Sequence, residues 1–361
     1  MKAAVLREAK QPMQIEEVKI SKPAPHEVLI RTTAAGVCHS DLHFADGLYP
    51  HPMPCVLGHE SAGVVEAVGS EVRYVAPGDH VITCPSVFCG HCEHCLTGNM
   101  ARCNTDEWKR DKSDAQRLSS NSGHVYQFSN LSSYAEQLLV SEHSIVKIRK
   151  DMPLERAALI GCAVMTGVGA VFHTAKVEPG SKVAVIGCGG IGLSAINGAA
   201  LAGAGQIIAI DMFGSKLNLA KNFGATDVIN ASEGDVVKMV REITGGGVHY
   251  SFEAIGLKKT AEQAFKMVRS GGVATVIGMI PVGTMVEIHG AELLQEKKLQ
   301  GSMMGSNRFR VDMPRLVDFY LNGKLKLDDM VSSTIKLKDI NGAFDNLRKG
   351  EVARQVIKFD A

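Results

Sequence analysis

Hydrophobic and polar positions follow two different periods along this chain. Up to about residue 146, short apolar runs alternate with turn residues: 27–32, 62–68 and 80–83 are β-rich, and Pro-Ala-Pro, Gly-Ser and Pro-Gly punctuate them. This pattern predicts a compact, partly antiparallel β unit. Residues 154–176 are Ala-rich and apolar, interrupted by Gly161-Cys162 and Thr166-Gly167, and read as a helix bridging two domains. From residue 182 onward, strand-like runs (182–186, 206–210, 227–229, 250–253, 273–277) alternate with helical ones (236–243, 259–268). That alternation predicts a doubly wound parallel sheet. Glycines at Asn222-Phe223-Gly224-Ala225 and Arg269-Ser270-Gly271-Gly272 end two of the helices. Beyond about residue 302, amphipathic helices at 313–321 and 340–347 and a strand at 355–359 are expected to pack back on the first domain.

Length and charge narrow the classes. A chain of 361 residues suggests two domains, each large enough for its own core. The 39 Lys and Arg nearly cancel 38 Asp and Glu, so no global field draws nucleic acid or an anionic membrane. A hydrophobic share of 45% argues against disorder. No signal-peptide pattern opens the chain, because Arg7 and Glu8 interrupt the first apolar residues. The uncharged stretch 183–210 is long enough to suggest a membrane span, but its glycines, Asn197 and Gln206 divide it into two strands and a helix of a buried parallel sheet. Nine cysteines, an odd number and mostly clustered, fit metal binding in a reducing cytoplasm better than a disulfide framework.

The strongest single signal is Gly187-Cys188-Gly189-Gly190-Ile191-Gly192, which closes an apolar strand and opens a helix. Gly187 permits the turn, Gly189 lets backbone approach a pyrophosphate, and Gly192 lets the helix pack on the strand. The next strand, 206–210, ends in Asp211, at about the 20-residue offset expected of a carboxylate that bonds an adenosine ribose. A carboxylate there repels a 2′-phosphate, so the expected cofactor is NAD in preference to NADP. A purely structural Gly-rich turn is the alternative.

Three polar constellations lie in the β-rich part. Cys38-His39-Ser40-Asp41-Leu42-His43 packs metal-binding and proton-moving groups into six positions, although a satisfied surface loop has the same density. Gly58-His59-Glu60 enters a strand; a lone His is usually structural, but with the first segment it offers an open zinc site. Cys89, Cys92, Cys95 and Cys103 form C-x2-C-x2-C-x7-C, able to surround tetrahedral Zn²⁺ completely and so expected to be structural. An iron–sulfur cluster or redox thiols are the alternatives, and His91 and His94 read as solvated loop residues. The polar stretch 104–130 reads as a long loop, whose Trp108 either lines a substrate entrance or covers the lobe. Cys162 reads by itself as a buried small hydrophobe.

Taken together, these motifs resemble the zinc-dependent medium-chain alcohol dehydrogenases over essentially the full chain. The resemblance implies a GroES-like, mainly β catalytic domain over 1–163 and 302–361, with a structural zinc lobe at about 85–104, and a Rossmann NAD-binding domain over 164–301. It implies Cys38, His59 and Cys162 as ligands of a catalytic zinc, with Glu60 close behind the metal and Asp41 holding the ring of His59. It places His39 and Arg354 at the pyrophosphate, Lys216 at the adenosine ribose and Thr166 beside the nicotinamide. Ser40 and His43 would relay the alcohol proton toward solvent. Tyr49, Pro85, Trp108 and the Met279-Ile280-Pro281 loop would line a pocket for medium-length or aromatic primary alcohols and aldehydes. Two zinc ions per chain, NAD and a homodimer, with a homotetramer as the alternative, complete the expectation. Oxidation of a formaldehyde–thiol adduct of glutathione or mycothiol is the second enzymatic reading. A non-catalytic, cofactor-binding relative is the third, opposed by the intact Cys38, His59 and Cys162.

Overall fold

The computed structural model describes residues 1–111, 113–121, 123–350 and 352–360; Lys112 and Ser122, both within the stretch read as a loop, lie outside the described residues. The chain divides into two units, one of Met1–Cys162, Arg308–Asn322 and Val331–Ala361, the other of Ala163–Asn307 and Gly323–Met330. The segment 323–330, expected with the first unit, belongs to the second. There the Asn197 side chain accepts from Lys326 N–H at 3.0 Å and donates to the Lys324 carbonyl at 3.3 Å, which anchors the excursion.

In the first unit the organising element is the strand Glu27–Val37, longer than the expected 27–32. Buried positions run almost unbroken along its second half, because Ser61–Val68, Gln137–Ser141 and Arg354–Lys358 all pair with it antiparallel. Register then fixes chemistry: Ala35 faces Ser61 and Val37 faces Gln355. The residues just beyond those ends, Cys38, Glu60 and Arg354, therefore fall side by side. A four-stranded sheet and a three-stranded one flank this core. The stretch 104–130 is not wholly a loop, since Leu118–Ser120, Gly123–His124 and Tyr126–Gln127 are strands of two or three residues, too short to show a period.

The helical run Leu154–Ala175 is long and apolar enough to cross a membrane, yet 83% of its most apolar window is buried inside the fold. It is not a uniform α-helix, because Ile160–Val164 and Ala170–Ala175 are π-helical. In the second unit six parallel strands lie in the order Asp227–Asn230, Gln206–Asp211, Lys182–Ile186, Val248–Glu253, Val268–Val276, Lys298–Gly301. The strand order reverses between Lys182–Ile186 and Val248–Glu253, the switch point at which such sheets take ligands. Gly224 has φ +110° just past the helix Gly214–Asn222, as a C-terminal glycine stop requires. Gly271 and Gly272 end no helix: Lys258–Met267 stops earlier and the strand begins at Val268.

Candidate functional site

Cys38, His59 and Cys162 are brought together from three distant segments. All three are buried, and their ligand atoms lie within 4.8 Å of one another, with His59 Nε2 3.1 Å from Cys162 Sγ. Cys38 follows the strand Glu27–Val37, His59 precedes Ser61–Val68, and Cys162 sits on the first π-helical turn. Such turns recur where a helix must re-aim one side chain. Gly161 makes that approach possible, since a Cβ there would stand 2.7 Å from the Thr83 carbonyl. Two thiols and an imidazole form a set that suits Zn²⁺, and their spacing is within reach of one ion with bonds of about 2.0–2.3 Å. A hydrogen bond from Cys162 holds the Cys38 thiol well below its ordinary range against the effect of burial, helped by the Arg354 charge; Cys162 is raised correspondingly. The site thus favours a thiolate.

Asp41 is completely buried and holds the imidazole from behind. Its Oδ1 accepts from His59 Nδ1 and from Gly58 N–H, both at 3.0 Å, and its Oδ2 accepts from Tyr134 Oη at 2.7 Å. Donation from Nδ1 leaves Nε2 as the lone-pair nitrogen facing the cysteines. Glu60 is also buried, with Oε1 3.4 Å from Arg354 Nε. Gly36 leaves room for that carboxylate, because a Cβ would fall 1.9 Å from Oε1. Arg354 is buried as well and donates from Nη1 to the Val37 carbonyl at 3.0 Å. These contacts brace the wall behind the metal ligands.

Ser40 Oγ lies 3.7 Å from Cys38 Sγ. His43, half-buried, has its pKa lowered by burial; its ring centroid is 5.3 Å from that of the exposed His39 and 6.2 Å from that of Tyr49. Pro85 is partly buried at the end of His80–Thr83. Trp108 is placed by other contacts: its carbonyl accepts from Arg117 Nη2 at 2.9 Å and the Lys109 ammonium stands 5.1 Å from its ring centroid.

The four-cysteine lobe is built locally. Sulfur separations of 3.5 Å (Cys92–Cys95), 3.8 Å (Cys89–Cys95) and 3.9 Å (Cys92–Cys103) match the edges, about 3.8 Å, of a tetrahedron with Zn–S bonds of about 2.3 Å. Backbone N–H groups of Cys92 and Cys89 donate to Cys89 and Cys103 sulfurs, each at 3.3 Å. Although burial opposes it, such donors from His91 and Cys92 bring the Cys89 thiol down to about 6. His91 pairs instead with Glu107 at 2.9 Å on the surface.

In the second unit each glycine of the turn has its own reason. Gly187 has φ +96°, and a Cβ on Gly192 would stand 1.7 Å from the Gly187 carbonyl oxygen. At Gly189, the N-cap of Gly190–Leu201, a Cβ would meet nothing within 4 Å, so the cradle in front of the helix is open to a phosphate, with Gly190 and Ile191 in its first turn. Asp211 Oδ2 accepts from Cys188 N–H at 2.8 Å and Oδ1 from Phe213 N–H at 3.1 Å. Each oxygen keeps a further lone pair for a ribose hydroxyl. Lys216 Nζ is 5.3 Å from the Phe213 ring centroid. Thr166 is buried with Oγ1 3.6 Å from Met304 Sδ, and the Met279 backbone lies against Gly256. Tyr134 and the Glu27 clamp described below were missed from sequence; neither stands in a recognisable spacing.

Comparison with known proteins agrees with this geometry. A family model described as "Alcohol dehydrogenase GroES-like domain" matches residues 24–150, and one described as "Zinc-binding dehydrogenase" matches 190–322. An S-(hydroxymethyl)glutathione dehydrogenase of Synechocystis is 38% identical over 366 residues, covering 99% of each chain. Among solved structures, an alcohol dehydrogenase zinc-binding domain protein from Burkholderia ambifaria superposes with a TM-score of 0.95 at 38% identity, over 100% of this chain and 99% of that one. Benzyl alcohol dehydrogenase from Acinetobacter calcoaceticus gives 0.91 at 36% identity, over 99% of each.

Proposed function

The chain belongs to the zinc-dependent medium-chain alcohol dehydrogenase family, and we propose that it interconverts medium-chain or aromatic primary alcohols and their aldehydes with NAD. The observation that carries this reading is the convergence of buried Cys38, His59 and Cys162, with Asp41 on the far nitrogen of the imidazole. Held by these ligands, zinc would supply Lewis acidity to the substrate oxygen, and NAD would accept or return the hydride. Ser40 then takes the hydroxyl proton. His43, kept neutral near pH 7 by burial, is fitted to receive it and pass it toward solvent. Glu60, its charge balanced by Arg354, maintains the electrostatic wall behind the ligands.

The named substrates of relatives support two readings, benzyl alcohol in one and the hydroxymethyl adduct of glutathione in another. An anionic peptide adduct needs free cations at the pocket. Among the described residues of the segment after the lobe, Arg110 and Arg117 are both engaged by Glu27, and Lys109 by Asp106, which favours an uncharged alcohol. The deciding experiment is a panel of primary, secondary, aromatic and terpenoid alcohols followed by NADH absorbance, with formaldehyde assayed with and without glutathione or mycothiol. Activity confined to the thiol adduct would replace the alcohol reading. Preference for NAD rests on Asp211: Asp211→Gly should relax it toward NADP by at least about tenfold, and a parent that uses both equally would dismiss that assignment. We further propose a cytoplasmic homodimer. Nine free cysteines support the compartment. The open edge strand Lys298–Gly301, with exposed Val282, Met285 and Leu294 in its unit, supports self-association.

A further inference from the structure

We propose that Tyr134 is a positioning residue for the metal-ligating imidazole, acting through Asp41. The inference rests on zinc binding at Cys38, His59 and Cys162. Among the described residues three donors reach the Asp41 carboxylate: two, Gly58 N–H and His59 Nδ1, share Oδ1, while the phenolic hydroxyl reaches Oδ2. Without it the carboxylate can rotate about its bond to Cβ, and the ring it orients rotates with it. With it, both oxygens are tied and the imidazole is held with Nε2 toward the cysteines.

Tyr134 is itself immobile. Its side chain is fully buried, its N–H donates to the Leu57 carbonyl at 3.1 Å, and its carbonyl accepts from Ala4 N–H at 2.9 Å. The ring lies across Gly58, where a Cβ would stand 2.7 Å from Cδ1; Gly58, with φ +91°, is a glycine for both reasons. The residue next to the ligand His59 is thus shaped to admit this ring. A phenylalanine would fill nearly the same volume, and the 2.7 Å bond is what the hydroxyl adds.

The test is zinc affinity, measured on the full chain by competition with a chromophoric chelator, with the four-cysteine centre as an internal control. Tyr134→Phe should weaken the three-ligand centre by about tenfold or more and leave the lobe unchanged. In an Asp41→Asn background the same change should have no further effect. Site-specific 3-fluorotyrosine at 134, which keeps the hydroxyl, should keep parent affinity. Equal affinity of Tyr134→Phe and parent overturns the proposal, as does the same loss in the Asp41→Asn background or with 3-fluorotyrosine. A parent that binds no zinc at the three-ligand centre would instead overturn the metal assignment on which it rests.

Discussion

The two sulfur-rich centres of the first unit use similar side chains in opposite ways. In the lobe, all four sulfurs come from residues 89–103, each is partly exposed, the short helix Glu93–Leu96 buries no side chain, and the 3-10 turn Met100–Arg102 buries only Ala101. Such a segment has too little apolar surface to order itself, so metal binding is its folding energy. The other centre draws on positions 38, 59 and 162, all buried, and is assembled by strand register, a π-helical turn and the Asp41 and Glu60 carboxylates. One centre needs the metal to exist as structure; the other exists as structure in order to present the metal with an open position. Ligand identity therefore says less about role than which partner, fold or ion, does the organising.

The sharpest break of this contrast is a pair of substitutions. Cys38→Ser should abolish turnover, by about 10³-fold or more, while nucleotide binding and thermal stability stay near parent values. Cys92→Ser should release the lobe zinc and lower the melting temperature. Retained turnover in the first, or unchanged stability in the second, would erase the distinction. Next in size is the anchor that ties down the chain leaving the lobe. Glu27, buried, accepts from Arg117 Nε at 2.7 Å and from Arg110 Nε at 2.9 Å, with a second bond from Arg110 Nη2. Glu27→Ala leaves buried Arg117 and partly buried Arg110 without their counter-charge and should cost about 3 kcal/mol in denaturant unfolding without loss of lobe zinc. Zinc loss would show that the clamp, and not the ion, orders the lobe.

A smaller effect follows from pH. Burial alone would raise the Glu27 pKa, but Arg110 and Arg117 hold it below the ordinary glutamate value of 4.5. Its stabilising contribution is therefore present above about pH 4.5 and lost as pH falls through the lower folded value. Between pH 5 and 3, Glu27→Gln should lose less stability than the parent, and parallel curves would count against the clamp. The smallest expected effect is His91→Gln, which should leave zinc content and melting temperature unchanged because His91 pairs with Glu107 on the surface. Loss of zinc there would replace the four-cysteine set with one that includes Cys89, His91 and Glu107.

Legibility in the sequence tracks locality. The lobe could be read from spacing alone because its ligands lie within one loop's reach. The glycine turn could be read because Gly187, Gly189 and Gly192 each answer a local demand of torsion, access or close packing. Cys162, by contrast, carried no signal of its own and entered only through family resemblance, being 103 positions from the imidazole it meets. The contacts of Arg354 with Glu60 and the Val37 carbonyl carried no signal either, since they join positions far apart along the chain. The strands at 118–127 escaped notice because two or three residues cannot display alternation.

By itself the sequence determined the period of each half, the doubly wound sheet, the nucleotide turn and the lobe, since these follow from interactions among residues close along the chain. Only the tertiary structure decided which thiol joins Cys38 and His59, that Tyr134 closes the hydrogen bonds of Asp41, and that Glu27 clamps Arg110 and Arg117. Those contacts span from 83 to more than 100 positions, and no short-range pattern encodes a partner that strand register and burial bring into place.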